Sequence, residues 1–552
     1  MSGTLSTLIR GVAVAVIVLS AYFVVTSTSV FSLGDSEIVS CGVVDAPGYY
    51  YLSSNITNVT GTCIIISSDD VIIDGKGRWI SGESGTGIYA TGGKSNITVR
   101  NLTISGLNNG VVFVNVTGGA IERVNITGCN ESGIHLSGDG ILVTDSTVSS
   151  AERGIVFHAN HSRAENNTLS NNTVGFVVAG SWNTVTENRI TFNDIGLQIR
   201  EGSGNTIADN LIANNKMYDV FIPFSSGPSV CDNTVENNTG SGGRIIGFFN
   251  TSIRMANLIF SELILCGVSG AYIENVTVAG SDGNNNGILI LHSTGVSLDS
   301  VNSSHNYLGV SLASSSGVTV SGSTLIGNVI GAAMYASTHN TLTGNEIAEN
   351  ENGVYIHNST QNILQGNVIS SNDIGIHLES EGAAQSEDNT IFDNLLNNTE
   401  NFLQSGEGQN SWNLSAIPGT NIVGGHFIGG NFWATPEGTG FSQECEDRDG
   451  DSICDSPYTL NDDNIDYLPL APVTPAPAPT SPTVPPSTPN VQNTPTPQPL
   501  QTQTPPRTGP TFTHTTPTPT PSQDPTSVPE FPGFSLPVVL LMIALAIGLR
   551  ER

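Results

Sequence analysis

Basic residues are scarce in this chain. Lysine and arginine together number 17 against 48 aspartates and glutamates, a formal balance of -31, and the only lysines are Lys76, Lys94 and Lys216. A surface of that sign repels nucleic acid, so no nucleic-acid partner is expected; it suits an extracellular or salty setting. Helical patterning is missing as well. No window of helical length spaces its apolar residues by three and four. A six-residue sub-period, which a left-handed hexapeptide helix needs, is absent, and so is the dense leucine framework of leucine-rich repeats.

What the chain has instead is a repeat. Gly287, Gly309, Gly331, Gly353 and Gly375 follow one another at intervals of 22 residues. Three places after each stands Ile290, Leu312, Met334, Ile356 or Leu378. A second apolar row runs through Leu298, Val320, Leu342 and Leu364 and stops at Ser386. A third runs through Leu325, Ile347, Ile369 and Ile391, and an asparagine row through Asn306, Asn328, Asn350, Asn372 and Asn394. Within one period, apolar and polar residues alternate over short runs separated by Asn, Ser, Gly and Asp, so each period is several short strands joined by turns. This predicts an all-β fold, a right-handed parallel β-helix with 21–23 residues per coil. One coil cannot bury enough apolar surface to order itself, so the coils must stack. An inward asparagine row fits, because stacked turn amides can hydrogen-bond from coil to coil.

The rest of the chain falls into order around that repeat. Residues 1–34 place Arg10 before an apolar run, the pattern of a secretory signal peptide or a signal anchor. The β-helix is expected over 35–420. Earlier coils open at Gly87, Gly110, Gly133, Gly154, Gly175 and Gly196, with asparagines at Asn172, Asn193 and Asn215. A register break is expected at about 217–286, where Pro223, Pro228 and a glycine cluster interrupt the pattern. About 16 coils rising about 4.8 Å each would make a rod of roughly 75–80 Å. A cap is expected over 421–470. Residues 471–529 are rich in Pro, Thr and Ser with only Arg507 and Asp524 charged, so a disordered, extended stalk is expected. Residues 530–552 end in Pro532, Gly533, Phe534, a short apolar run and Arg550-Glu551-Arg552. That run would span only about 22 Å as helix, short of a bilayer core, which reads as a sorting signal.

Cysteine usage fits export. Cys41 is expected to pair with Cys63, with two buried thiols as the alternative, and Cys445 with Cys454 could staple the Asp loop; Cys129, Cys231 and Cys266 are left, with Cys231–Cys266 or buried thiols as the alternatives. In the cap, Asp447, Asp449, Asp451 and Asp455 alternate around Gly450, with the Ile453 carbonyl in range. This is the oxygen-rich spacing of a calcium loop, although Tyr458 replaces the final acidic ligand. An ion there would draw on Asp462, Asp463 or Asp466; the alternative is an acidic turn without an ion. No organic cofactor is expected. Sequons occur at Asn55, Asn58, Asn96, Asn101, Asn115, Asn125, Asn250, Asn275, Asn302, Asn358 and Asn413, and only outward-facing ones are expected to carry glycans.

The Pro532-Gly533-Phe534 end resembles the PGF-CTERM signal of archaeal surface proteins. The resemblance implies processing by an archaeosortase-type enzyme and attachment to the membrane through a C-terminal lipid. The coils, the Gly429-Gly430-Asn431-Phe432-Trp433 stretch, the Asp loop and the Asp466-Tyr467-Leu468-Pro469-Leu470 stretch resemble the NosD family. That resemblance implies β-helix repeats of the carbohydrate-binding and sugar-hydrolysis type, and its name implies periplasmic copper. Five scattered methionines and no His/Met/Cys cluster at ligand spacing argue against copper here.

Outward positions hold the remaining candidates. In the first coils they include His135, His158, Gln198, Arg200 and Glu201. In the 22-residue repeats they include Tyr335, Tyr355, His357, His377 and Glu379, expected as one exposed patch on adjacent coils. Aromatic and polar side chains together suit sugar stacking and hydrogen bonding. No catalytic pair of carboxylates stands out. The expected role is structural or adhesive at the cell surface, through glycans or an S-layer, with a polysaccharide lyase or glycoside hydrolase as the alternative.

Overall fold

The computed structural model describes residues 35–280 and 285–473. The signal segment, nearly all of the expected stalk and the sorting motif at Pro532, Gly533 and Phe534 lie outside the described residues. Among the described residues the chain is a parallel β-solenoid of about 16 turns. A coil is three short strands and three corners, as in Thr341–Thr343, Glu346–Ala348 and Asn352–His357. In Thr341–Thr343 the leucine is buried and both threonines are half-buried, the alternation that points one side chain inward.

Register between coils agrees with the apolar rows up to a point. Leu298 pairs with Val320, Val320 with Leu342 and Leu342 with Leu364. The next partner of Leu364 is Ile391, which the repeat assigned to the third row. The third row continues from Ile369 to Leu396 instead. The coil at residues 363–390 is longer by five residues, inserted after the Ile374–Glu379 strand. Successive corner asparagines, such as Asn340, Asn345 and Asn350, stand five apart. A five-residue insertion therefore moves the 22-residue count from one row onto the next. Asn394 is displaced in the same way, and Asn372 bonds to Asn398.

Asparagine ladders hold many of the corners, and a serine ladder runs beside them from Ser293 to Ser386. One ladder runs Asn340, Asn362, Asn389, Asn410; a second Asn345, Asn367, Asn394, Asn431; a third Asn306, Asn328, Asn350, Asn372, Asn398. Each backbone N–H donates to the side-chain oxygen of the asparagine one coil on, and the side-chain amide of most donates to a carbonyl one coil back. Asn367 shows the full set. Its oxygen accepts from Asn345 N at 3.0 Å and Asn345 Nδ2 at 2.9 Å, while its amide donates to Leu342 O and Asn394 Oδ1, both at 2.9 Å. The corner amide also explains the glycine row. A Cβ on Gly353 would stand 2.7 Å from Gly375 O and 2.9 Å from Asn372 Nδ2.

The solenoid is two arrays. The sheet that holds residues 36–236 shares no strand pairing with the three sheets that open at Ile246–Phe249, Arg254–Ala256 and Ile259–Phe260. The rise of one unbroken rod therefore does not apply across the break. Polar side chains finish the last first-face strand, Tyr218–Phe221. Asp219 N donates to Asn285 Oδ1 at 2.8 Å, Val220 N donates to Glu262 Oε2 at 3.1 Å, and Asn286 Nδ2 donates to Val220 O at 2.9 Å. Cys231 is bonded to Cys266 across the break. Cys41–Cys63 closes the first coil, Cys445–Cys454 spans the Asp loop, and Cys129 is a buried thiol.

The C-terminal end is closed by Trp412 and Trp433, both fully buried. Trp412 Nε1 donates to Asn464 Oδ1 at 2.9 Å and Trp433 Nε1 to Asp466 Oδ2 at 2.8 Å. Two ladders end on those same side chains, Asn410 on Asn464 and Asn431 on Asp466.

Removing one ladder asparagine leaves several buried partners unpaired at about 1–3 kcal/mol each. Asn367→Ala is expected to lower stability by about 3–5 kcal/mol in denaturant unfolding, and the exposed Asp373→Ala by less than about 0.5. A loss of similar size in both variants would contradict the ladder's role. Burial, with Asp219 beside it, pushes Glu262 up to about 8 from 4.5. A carboxyl raised on folding contributes stability below about pH 4.5 that is lost as pH rises through 8. The thermal midpoint of the native protein is therefore expected to fall toward alkaline pH, and that of Glu262→Gln to fall less.

Candidate functional site

The second array's first face runs through the strands Ile330–Tyr335, Asn352–His357 and Ile374–Glu379. Register places Tyr335, His357 and Glu379 in one row, and Ala333, Tyr355 and His377 in the next. Inward positions of the same strands, Met334, Ile356 and Leu378, lie in the core. The five candidates therefore do share one outward face on three adjacent coils.

That face is not the open patch expected from the sequence. Tyr355 and His377 are 7% and 4% exposed. Two causes act together. Neighbouring coils lie about 4.8 Å apart, so large side chains in adjacent rows cover each other. The excursion between Phe221 and Thr234 also folds back over the face, where Phe224 stacks on Tyr335 with ring centroids 4.4 Å apart. Ser226 anchors that strap on both arrays: its hydroxyl donates to Arg200 O at 2.9 Å and its carbonyl meets His292 Nε2 at 2.7 Å. Under and beside the strap, Leu308, Ile330, Ala333 and Tyr355 form a separate apolar cluster.

The polar groups of the face pair with one another. The Tyr355 hydroxyl donates to Glu379 in a short contact and lies 3.4 Å from His357 Nδ1. His357 reaches Glu379 and Glu381, each at 3.9 Å. The His377 ring meets Ser405 Oγ at 3.2 Å and packs edge-on to Tyr355 at 5.2 Å. The His357 ring and the Tyr355 hydroxyl hold the Glu379 carboxyl below its usual range. Burial, with Tyr335 and Glu379 near, pushes the Tyr355 hydroxyl well above the ordinary tyrosine range. Burial lowers His377. The result is an anionic carboxylate, a hydroxyl it orients and imidazoles on one face, a set able to hydrogen-bond a hydroxylated ligand or to move a proton.

In the cap, Asp447, Asp449 and Asp451 bring one carboxylate oxygen each within 4.8 Å of one another. Asp447 accepts from Gly450 N at 2.8 Å and Ser452 N at 3.0 Å, and Gly450 takes φ +75, a conformation glycine adopts without strain. Asp455 stands outside this cluster, 3.7 Å from Arg448. Ile453 pairs with Leu470. Asp466 is not free to join an ion as the sequence allowed. It is fully buried and accepts from Asn431 N, Trp433 Nε1 and Leu468 N, and burial pushes it up to about 6.

The sequons separate by geometry. Asn58, Asn96, Asn115, Asn125, Asn250, Asn275 and Asn302 are exposed. Asn55, Asn101, Asn358 and Asn413 are half-buried with side chains already bonded, as where Asn101 donates to Asp74. Asn358 also bonds the His357 ring at 3.0 Å, a contact that sequence spacing does not reveal.

The family described as "Periplasmic copper-binding protein (NosD)" matches residues 63–259 and 262–438. Those two segments cover both arrays and most of the chain. The chain belongs to the NosD family. No curated protein matches it. Among solved structures, it is similar to the mannuronan C-5 epimerase A-module of Azotobacter vinelandii at 16% identity, covering 66% of this chain and 89% of that one, with a TM-score of 0.24. It is similar to DFA-IIIase from Arthrobacter chlorophenolicus at 12% identity, covering 48% and 82%, with a TM-score of 0.33. It is also similar to the tailspike protein of E. coli bacteriophage HK620 at 10% identity, covering 65% and 72%, with a TM-score of 0.29.

The copper in the family's description does not fit this NosD chain. Among the described residues, the cluster with three donor atoms in ligand range is the all-oxygen set Asp447, Asp449 and Asp451. Copper sites draw on imidazole and sulfur, whereas oxygen sets suit hard cations. Met255 and Met334 are buried in the core.

Glu379→Gln is expected to cost about 1–3 kcal/mol near neutral pH, because it breaks a charge-assisted bond to Tyr355. The exposed Glu381→Gln is expected to change stability by less than about 0.5 kcal/mol. A carboxyl lowered on folding contributes stability above its unfolded value near 4.5 that is lost as pH falls. The unfolding curves of the native protein and Glu379→Gln should therefore converge as pH falls below the ordinary carboxyl range.

Proposed function

We propose that this NosD-family protein is exported and displayed at the cell surface, where its β-helix serves a structural or adhesive role by binding glycans. The single observation that supports this most is the pair of adjacent rows that hold Tyr335, His357 and Glu379, and Tyr355 and His377, on one face, partly covered by the strap. On the same face, the neighbouring positions Ser311, Ala313 and Ala333 are small. Aromatic rings beside fixed hydrogen-bonding groups are the ordinary lining of a sugar site. The family description, periplasmic, agrees with export. The paired cysteines agree with an oxidising compartment. In this reading the PGF-CTERM-like end is processed by an archaeosortase-type enzyme and holds the protein to the membrane. The Pro/Thr-rich stalk carries the β-helix outward. Asp447, Asp449 and Asp451 take calcium and order the cap; Tb3+ luminescence in the native protein, lost in Asp449→Asn, is the test of that part.

A second reading, polysaccharide lyase or glycoside hydrolase, is favoured by one feature. The Tyr355 hydroxyl is bonded to Glu379 with His357 at 3.4 Å, an acid–base set already oriented. One experiment separates the two. The full-length protein is applied to a glycan array with and without calcium, and the same sugars are assayed for released reducing or unsaturated ends. Binding without product, weakened about tenfold in Tyr335→Ala, is the expected result. Product that disappears in Glu379→Gln would replace the first reading by the second. Neither binding nor product would overturn both.

A further inference from the structure

The first array carries a second cluster on its own first face, apart from the Tyr355 site. Register aligns His135 with Val156, Val156 with Val177 and Val177 with Gln198. Val156 and Val177 do not belong to the apolar core, yet each is only 1% exposed. They form an aliphatic floor on the outer side of the sheet. The rings of His135 and His158 lie over adjacent coils with centroids 5.1 Å apart, and His158 is exposed. Arg153 and Arg200 flank them. Arg153 is held at 3.6 Å by Glu152. Arg200 has no carboxylate within ion-pair distance among the described residues, and its carbonyl is the anchor of the Ser226 strap.

Arginine is scarce in this chain, and two arginines meet on this face. Burial is the main reason His135 falls to about 4 and His158 is lowered. His158 and Arg153 add to it at His135, and Arg200 and Arg153 at His158, while Glu131 and Glu201 oppose it. Two arginines thus stand beside the two imidazoles in a chain whose balance is -31. Neutral imidazoles donate and accept, the arginines only donate, and Gln198 does both. Such a set of donors and acceptors suits a ring that carries hydroxyls and one carboxylate or sulfate.

We propose that His135, Arg153, His158, Gln198 and Arg200 form a recognition site for an acidic sugar, so that the glycans bound by this protein are polyanionic. The proposal rests on the glycan-binding reading and adds the ligand's charge. A planar guanidinium meets a carboxylate through two parallel N–H bonds, and Arg200 has its donors free for that. A polyanion is otherwise repelled by this surface, so the unpaired Arg200 guanidinium selects where along the face it docks.

Calorimetry on the full-length protein tests this with two probes, hexagalacturonate and a neutral glucose hexaose, at low and at high NaCl. The acidic hexamer is expected to bind at least about tenfold more tightly at low salt, a preference that shrinks at high salt. Arg200→Gln is expected to lose about tenfold for the acidic hexamer and to leave the neutral one unchanged. Equal binding of the two probes, indifferent to salt and to Arg200→Gln, would overturn the proposal and leave the glycan-binding reading standing. Binding of neither hexamer would overturn it as well, and the glycan array then decides the broader reading alone. Because the salt series uses the native protein, a variant that fails to fold does not shield the proposal.

Discussion

A corner amide that finds its acceptor one coil away is the contact on which this molecule depends. Parallel strands of three residues give too few backbone bonds to fix their own register, and a slip of one residue would turn every inward side chain outward. Asparagine solves both problems at once. Its backbone N–H and side-chain amide converge on the oxygen of the next asparagine, as Asn345 does on Asn367. The corners are thereby pinned at the same height as the strands. Buried asparagines of this kind are tolerated because those inside a ladder are satisfied on both sides; at Asn306, which opens its ladder, the side-chain oxygen is left unpaired.

A ladder must also end, and its ends shape the rest of the fold. At the break, Asp219 takes the place of the next asparagine and accepts from Asn215 Nδ2 at 2.9 Å and from Ser241 Oγ at 2.7 Å. At the C-terminus, Asn464 and Asp466 do the same for two ladders and bind the indoles of Trp412 and Trp433. At Asp219 and Asp466 a carboxylate suits the position because its oxygens accept and a ladder's final N–H groups only donate; at Asn464 the amide oxygen fills that part. The cost is burial of an ionisable group, which raises Asp219, Glu262 and Asp466 alike. Where the first array ends, the chain needs a longer detour to reach the second, and that detour becomes the strap over the Tyr335 face.

Much of this could be read from the residues. The glycine spacing and the first apolar rows give the parallel solenoid and its inward positions, because the repeat is strict where every coil has the same length. The reading failed where length changed. Ile391 and Asn394 kept the 22-residue count but moved to other rows, since the insertion equals the distance between corners. Two of the three asparagine ladders were missed, although the signal was present as asparagines five apart at Asn340, Asn345 and Asn350. The site residues were assigned to the right face. Their burial was not legible, because it comes from side chains of adjacent coils covering one another and from Phe224, which lies far from Tyr335 in sequence and reaches it only through the strap. Asp466 looked like a free carboxylate for the same reason: its partners Asn431 and Trp433 are brought to it by the closing of the cap.

Function follows from the same constraint. Fixed register is what lets side chains from separate coils form a constant outward pattern, whether the aromatic and carboxylate row of the second array or the arginine and histidine row of the first. Residue-resolved hydrogen exchange on the full-length protein measures that constraint directly. If the ladders hold the coils, the corner amides of Asn183, Asn188 and Asn193, and of Asn340, Asn345 and Asn350, exchange as slowly as the strand amides between them. Fast exchange at these corners with slow exchange in the strands would contradict the account, because the register would then rest on the strands alone.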